Sequence, residues 1–296
     1  MSTGNPNTDG TKTEVLDIFN ENSICQDLPD FPTQLNWASA GILQNEEIVC
    51  GGYDLGSGPS FQSSCHYIKN GTQTPFSLKE GKYRASSVSF QNQILILGGL
   101  TLSSLTGTKS VEFINGTESI KKEILPFSWY DGCAVKMDEN NIMLLGGQQD
   151  DQRSYNTWYF TLDTESWING PAMNRARESF GCGYLNELES VIAFGGIPST
   201  DTTEVLNGGS FQYTIEMPML LSSMSVVKIP METNSLIVSG GFSYINGKSQ
   251  NSDAILKLSC PTFESCSWEV LNAKLKVARK YHVSFMMNFN CTENTK

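Results

Sequence analysis

Long apolar runs, positive charge and known catalytic or metal-binding motifs are all missing from this 296-residue sequence. No run of about 18 apolar residues occurs, so we expect no membrane-spanning helix and no insertion into a membrane. Acidic residues outnumber basic ones by 31 to 20, a formal net charge of −11 that argues against nucleic acid or an anionic membrane as partner. The zinc-ligand spacings and the GxSxG, P-loop and HExxH motifs are absent. We therefore expect no metal, no cofactor and no catalysis.

Helical signals are also missing. No stretch keeps a 3.6-residue hydrophobic period, which argues against amphipathic helices. Only 17% of the residues are charged, whereas the chain contains 26 glycines. With 39% hydrophobic residues, this composition is typical of a turn-rich all-β protein that has a large core.

What the sequence does contain is an internal repeat of about 48 residues. Its clearest mark is a short apolar run that ends in two glycines, as in ILIL before Gly98 and IMLL before Gly146. Such a context would not recur five times by chance. The first glycines of the five pairs are Gly51, Gly98, Gly146, Gly195 and Gly240.

Three further strand-like segments complete each repeat. Strand a precedes the apolar run, strand b is that run, strand c follows the glycines, and strand d follows a turn that is often Asn-Gly. Asn-Gly favours a two-residue hairpin, because both central residues need a positive φ. The same turn chemistry at Asn207-Gly208 explains the out-of-phase pair Gly208-Gly209. Four strands per repeat predict a β-propeller of four-stranded antiparallel blades.

The repeat resembles the kelch family. The resemblance rests on the apolar-Gly-Gly ends of the b strands, on the hairpin TWYFTLDTESW (157–167) and on PAMNRARESFGCGYLNELESVIAFGG (171–196). It covers nearly the whole chain and implies a kelch-type propeller. It is specific for the fold and weak for function, since kelch propellers serve as adaptors, cytoskeletal proteins, extracellular modules and, rarely, enzymes.

The repeat count predicts a closed ring of six blades in one domain, residues 1–296. Six a, six c and six d segments are found, but only five complete b strands. We expect residues 1–30 and 279–291 to build the closing blade together, which would leave a monomeric ring with no open edges. The missing b strand and the polar N-terminus without an apolar signal region suggest a chain that is incomplete at its N-terminus.

The eight cysteines suggest an oxidising compartment. Cys50 ends strand b and Cys65 starts strand c of one blade, so a disulfide is geometrically natural. Cys260 and Cys266 flank a c–d turn, and Cys25 and Cys291 would meet in the closing blade. Cys133 and Cys182 share one phase of adjacent blades, and the sequence favours small buried filler there over a bridge.

Three glycosylation sequons begin at Asn70, Asn115 and Asn290. The first two fall on c–d turns, where Asn-Gly-Thr turn chemistry alone would also produce them. The two histidines, His66 and His282, show no arrangement like the copper site of a galactose oxidase-like propeller enzyme.

Strand directions put the b–c loops and the d–a connections on one face, where we expect a partner to bind. Arginines that open strand a could pair with the carboxylates of an acidic peptide, or could instead bridge neighbouring blades. Asp150-Asp151 is too small a set for a calcium cage. The candidate contact residues are Tyr53, Asp54, Arg84, Asp150, Asp151, Arg153, Arg177, Tyr244 and Arg279.

The sequence therefore favours a non-enzymatic module that binds a protein or peptide outside the cell. An intracellular kelch adaptor, which recruits substrates or acts on the cytoskeleton, is the first alternative. A galactose oxidase-like propeller enzyme is a less favoured one.

Overall fold

The computed structural model describes residues 11–20, 23–56, 60–90, 92–230, 232, 234–245, 248–287 and 291–293. All regular secondary structure in these residues is β-strand. Among them there is no helix with the length and hydropathy needed to cross a membrane.

Five four-stranded antiparallel sheets follow one another along the chain, each in the order a-b-c-d. The predicted repeats therefore correspond to successive sheets. The strands are β1 (Ser39–Leu43), β2 (Glu46–Cys50), β3 (Ser64–Tyr67) and β4 (Gln73–Ser77); β5 (Ser86–Phe90), β6 (Gln93–Leu97), β7 (Ser110–Ile114) and β8 (Ser119–Glu123); β9 (Cys133–Lys136), β10 (Asn141–Leu145), β11 (Thr157–Thr161) and β12 (Ser166–Asn169); β13 (Gly181–Leu185), β14 (Ser190–Phe194), β15 (Thr203–Asn207) and β16 (Ser210–Tyr213); β17 (Ser225–Lys228), β18 (Ser235–Ser239), β19 (Ala254–Ser259) and β20 (Ser267–Lys274).

The first strands of the sheets, β1, β5, β9, β13 and β17, contact one another in sequence and are called the inner strands. Serine hydroxyls join neighbouring inner strands: Ser87 Oγ donates to the carbonyl of Ala40 (2.8 Å), and Ser86 Oγ accepts from the amide of Ala134 (2.9 Å). At Gly183 a Cβ would lie 2.5 Å from Leu236 of the next sheet. Small residues are therefore needed where the sheets converge. Sheets that converge on their first strands in this way have a propeller-like arrangement.

The core lies between successive sheets rather than within one of them. One cluster joins Val88, Leu95 and Val111 of the second sheet to Leu144 and Phe160 of the third. All five side chains are buried. Because each sheet contributes apolar residues to both of its neighbours, the b strands are continuously hydrophobic, as in ILIL and IMLL.

The double glycines connect each sheet to the next. The second glycine donates its amide to a carbonyl in the connection that leads into the following repeat: Gly99 N–H to Trp129 O (2.7 Å) and Gly147 N–H to Arg177 O (2.8 Å). Both glycines of each pair have a positive φ, and a Cβ on Gly98 would lie 2.2 Å from the carbonyl oxygen of Trp129. Any larger residue would separate the two repeats.

Six residues form a closed ring of backbone hydrogen bonds, each amide donating to the carbonyl of the previous member. Successive members begin strand a or its equivalent, and all six have φ between 50° and 58°. The bonds measure 2.7–3.2 Å. These ring residues are Trp37, Arg84, Asp131, Ser179, Ser223 and Tyr281.

The closing region differs from the expectation. Neither 13–18 nor 281–287 forms a regular strand, because the described residues offer no b strand between them. The two termini nevertheless meet. Arg279 pairs with Glu14 (2.7 Å), Lys276 pairs with Asp27 (2.7 Å), and Ser23–Ile24 pairs antiparallel with Thr292–Glu293. Residues 1–10, which we expect to belong to the closing blade, lie outside the described residues.

All eight cysteines are joined in disulfides. The predicted pairings Cys50–Cys65, Cys260–Cys266 and Cys25–Cys291 are present. The interpretation of Cys133 and Cys182 as unbridged filler is wrong, since they bridge β9 and β13. Being in phase on adjacent inner strands brings their side chains together across the sheet boundary.

Candidate functional site

The b–c loops and the d–a connections pair with each other and form one face, which we call the loop face. The connection Leu35–Asn36 pairs with the loop hairpin Tyr53–Asp54/Ser60–Phe61, and Trp129–Tyr130 pairs with the hairpin Gln148–Gln149/Gln152–Arg153. Equivalent small pairings occur in the other repeats. These hydrogen bonds tie the b–c loops to the d–a connections.

Two of the predicted partner contacts are not on that face. Arg177 and Arg279 are buried between repeats, where they pair with Glu204 (2.7 Å) and Glu14 (2.7 Å). Arg177 also donates to the carbonyls of Gly195 (2.7 Å) and Thr202 (3.2 Å). A direct contact of either arginine with a partner is excluded by this burial, and the alternative interpretation as bridges between repeats fits.

Arg177 and Arg279 each lie two residues before a ring residue, whereas Arg84 is itself a ring residue. Two positions before each ring residue lies a buried side chain, which we call the anchor: Leu35, Lys82, Trp129, Arg177, Leu221 and Arg279. Lys82 pairs with buried Glu112 at 3.0 Å. Burial lowers the pKa of all three cationic anchors, and their carboxylate partners oppose that shift. The three cationic anchors are therefore paired structural charges.

Arg84 is a ring residue rather than an anchor, and its guanidinium begins an aromatic cluster on the loop face. It lies 4.9 Å above the centre of the Trp37 ring. Trp37 packs on Tyr281, with ring centroids 4.0 Å apart, and on Tyr83, 5.7 Å away. Tyr53 packs on Tyr83 (5.2 Å). These rings are half-buried, so part of each is open to a ligand.

A charged network occupies the neighbouring part of the ring. Arg84 donates to Asp131 Oδ2 (2.8 Å), and Arg153 donates to Glu178 Oε1 (2.8 Å). Burial raises the pKa of Asp131 to about 6, against the opposing effect of Arg84 and with a smaller contribution from Glu178. Asp131 thus titrates close to neutral pH at the centre of this face.

The aspartates predicted as contacts already have partners within the protein. Asp150 Oδ1 accepts from the amide of Ser128 (3.0 Å), and Asp151 Oδ1 accepts from the hydroxyl of Tyr130 (3.1 Å). Burial and this hydrogen bond raise the pKa of Tyr130 to about 12. Asp54 is buried and accepts from the amide of Gly56 (2.8 Å). All three carboxylates shape the loops.

Several buried polar atoms at the ring have no hydrogen-bond partner among the described residues. They are Trp37 Nε1, Arg84 Nε and Ser223 Oγ. Unpaired buried donors are costly, so three of them on one ring mark a place where a ligand group would gain hydrogen bonds. Sequence reasoning missed Trp37 and Ser223. The available signal was that Trp37 and Arg84 directly precede the small residues Ala38 and Ala85, which lie immediately before the inner strands.

The b–c loops of the loop face also carry exposed apolar side chains. Tyr244 is 51% exposed, Leu105 65% and Leu102 77%. Tyr155 of the third loop is also exposed. Of the candidate contacts, Tyr53, Arg84, Arg153 and Tyr244 therefore remain available at the loop face.

The other predicted sites lie elsewhere. His66 is buried against Phe31, and His282 Nε2 shares a hydrogen bond with Ser239 Oγ (3.0 Å). Within the part of the chain that the structure describes, no group of three or more His, Cys, Asp or Glu side chains could hold a metal. Asn70 and Asn115 are exposed on c–d turns, where each Oδ1 accepts from a threonine two residues later. Asn290 lies outside the described residues.

Comparison with known proteins finds a similar fold among solved structures but no matching family. No protein-family model matches the sequence, and no curated protein matches it either. Among solved structures, the structure of YjhT superposes with a TM-score of 0.69 at 11% identity, covering 82% of this chain and 87% of that one. At this identity the likeness shows a shared propeller-like fold alone.

Proposed function

We propose that the chain is a single six-bladed kelch-type β-propeller that binds a protein or peptide partner through its loop face, without catalysis, outside the cell. The observation that carries the binding proposal is the centre of the loop face, where Trp37, Tyr83 and Tyr281 surround unpaired donors. Aromatic residues and arginine are the side chains most enriched in binding hot spots.

The ring supports the blade count and the single domain. Six ring residues and six anchors recur once per repeat, and the hydrogen bonds of the ring close on themselves. A propeller of six blades closed by residues from both ends of the chain gives this pattern, with a monomeric ring as the unit that binds.

The disulfides support the compartment. Structural disulfides persist where the surroundings are oxidising and are rare in the cytosol. With every cysteine paired, an extracellular module fits better than an intracellular adaptor. Asn70 and Asn115 are exposed on c–d turns, on the opposite face from the loops, so glycans there would leave the loop face accessible.

The experiment captures the partner from extracellular fluid on the intact, immobilised protein, identifies it, and then measures its affinity for matched variants. Tyr244→Ser and Leu105→Ser remove exposed apolar groups from the loop face. Tyr213→Ser and Ile168→Ser remove groups of similar exposure, 55% and 63%, from outer strands. Loss of a hot-spot side chain weakens binding by about tenfold or more.

We expect a tenfold loss in at least one loop-face variant, and none in either outer-strand variant. Melting temperatures of all four variants should stay close to that of the wild type, since each group is exposed. Equal losses at both places, or losses confined to the outer strands, would contradict the proposal.

A further inference from the structure

We propose a second binding site, for an organic monocarboxylate with an apolar body, at the opposite end of the propeller from the loop face. The structure contains a cavity of about 430 Å³ there. Its walls come from the inner strands β9, β13 and β17 and from the turn after β9. Its size suits a small organic ligand.

Two lysines line this cavity, Lys136 and Lys228, and the cation that we assign to ligand binding is Lys228, the last residue of β17. It lines the cavity and is half-buried. Among the residues that the structure describes, its ammonium has no carboxylate or other hydrogen-bond partner. An unpaired and partly desolvated cation is unfavourable, because desolvation without compensation costs free energy. An anion bound beside it would provide that compensation.

A second donor faces the same space. Tyr184 of β13 lines the cavity, and its hydroxyl has no hydrogen bond with any described residue. Together an ammonium and a phenol can each donate to one oxygen of a carboxylate. Lys136 also lines the cavity, but its ammonium already pairs with Glu139 at 2.7 Å.

The remaining walls set the class of anion. Val226, Val227 and Leu236 give the cavity an apolar side, against which a hydrocarbon body would pack. Asp138 and Glu139 line it as well and repel any anion, a doubly charged one more strongly than a singly charged one. The site therefore favours one carboxylate on an apolar body over phosphate or a dicarboxylate.

Calorimetric titration of the intact protein tests the site with three probes of one chain length: octanoate, octan-1-ol and octyltrimethylammonium. We expect octanoate to bind most tightly. Lys228→Met should weaken octanoate by at least about tenfold, since a hydrogen bond to a charged group contributes about 1.5–3 kcal/mol and tenfold corresponds to about 1.4 kcal/mol. Lys228→Arg keeps the charge and should retain most of the affinity.

Lys248→Met is the matched control, because Lys248 is an exposed lysine on a b–c loop. It should bind octanoate as the wild type does. Reductive methylation of the wild-type lysines with ¹³C-formaldehyde gives a readout that needs no folded variant at position 228: the Lys228 methyl signal should shift when octanoate is added.

Three results would overturn the proposal. One is equal octanoate affinity in the wild type and in Lys228→Met. Another is binding of octyltrimethylammonium as tight as that of octanoate. The third is the absence of saturable octanoate binding below about 10 mM, a range in which even weak complexes are detected.

Discussion

The disulfide between Cys25 and Cys291 should stabilise the protein more than any other, because it closes the longest loop. The two cysteines are 266 residues apart, whereas Cys260 and Cys266 are 6 apart. In the chain-entropy model a cross-link lowers the entropy of the unfolded chain by about 2.1 + 1.5R ln n cal/mol/K. At 25 °C this gives about 5.6 kcal/mol for the long loop and about 2.2 kcal/mol for the short one.

These free energies translate into melting temperatures. The unfolding entropy is about 2.1 cal/mol/K per residue, or about 0.6 kcal/mol/K for this chain. Replacing Cys25 and Cys291 together by alanine should lower the melting temperature by about 9 °C, and replacing Cys260 and Cys266 by about 3.5 °C. Differential scanning calorimetry of both double variants makes the comparison directly.

The Cys260/Cys266 double variant is a stringent control for this test. Cys260 is fully buried, so the loss of its sulfur costs packing and works against the predicted order. If the Cys260/Cys266 variant melts at or below the temperature of the Cys25/Cys291 variant, the prediction that the disulfide joining the termini stabilises the protein most is wrong.

Three further predictions concern the interior and the charges. Arg177→Met leaves buried Glu204 unpaired and should lower the free energy of unfolding by about 3–5 kcal/mol in urea titrations, without changing partner affinity; a loss below about 1 kcal/mol would show that the anchor does not join the repeats. The pKa of Asp131 is raised from 3.8 to about 6, so the folded protein keeps a proton that the unfolded chain has lost. The free energy of unfolding that protonated Asp131 contributes is therefore complete below pH 3.8 and falls as the pH rises towards 6. The Asp131→Asn variant should lack this fall. A midpoint near pH 4 for the Asp131 carboxyl in a ¹³C NMR titration would contradict the prediction. Thiol titration of the denatured, unreduced protein should find no free thiol, and eight would contradict the extracellular proposal.

The repeat was readable from the sequence because it depends on local chemistry. Glycines with positive φ next to a close backbone contact leave little choice of residue, so Gly98 and Gly146 mark the ends of their strands. The hairpin predicted at Asn207-Gly208 is present one residue later: Asn207 pairs with Ser210, and the two turn residues with a positive φ are Gly208 and Gly209. The alternation of strand-like and turn-like segments along the sequence therefore predicts all five sheets.

The anchors were not readable, because their position is defined by burial rather than by residue type. Leu35, Trp129 and Arg177 share no chemistry, yet each fills the space between two repeats. Residue type alone groups Arg84 with Arg177, although the residue at the position equivalent to Arg177 is Lys82. The Cys133–Cys182 bridge was missed for a related reason, since the distance between neighbouring inner strands is a property of the assembled ring.

Hydrogen–deuterium exchange of the protein with and without its captured partner tests the central claim most directly. We expect slower exchange in the b–c loops 100–108, 148–156 and 242–252 and in the connections around the ring residues. Slower exchange confined to the c–d turns around Asn70 and Asn115, with unchanged b–c loops, would contradict binding through the loop face.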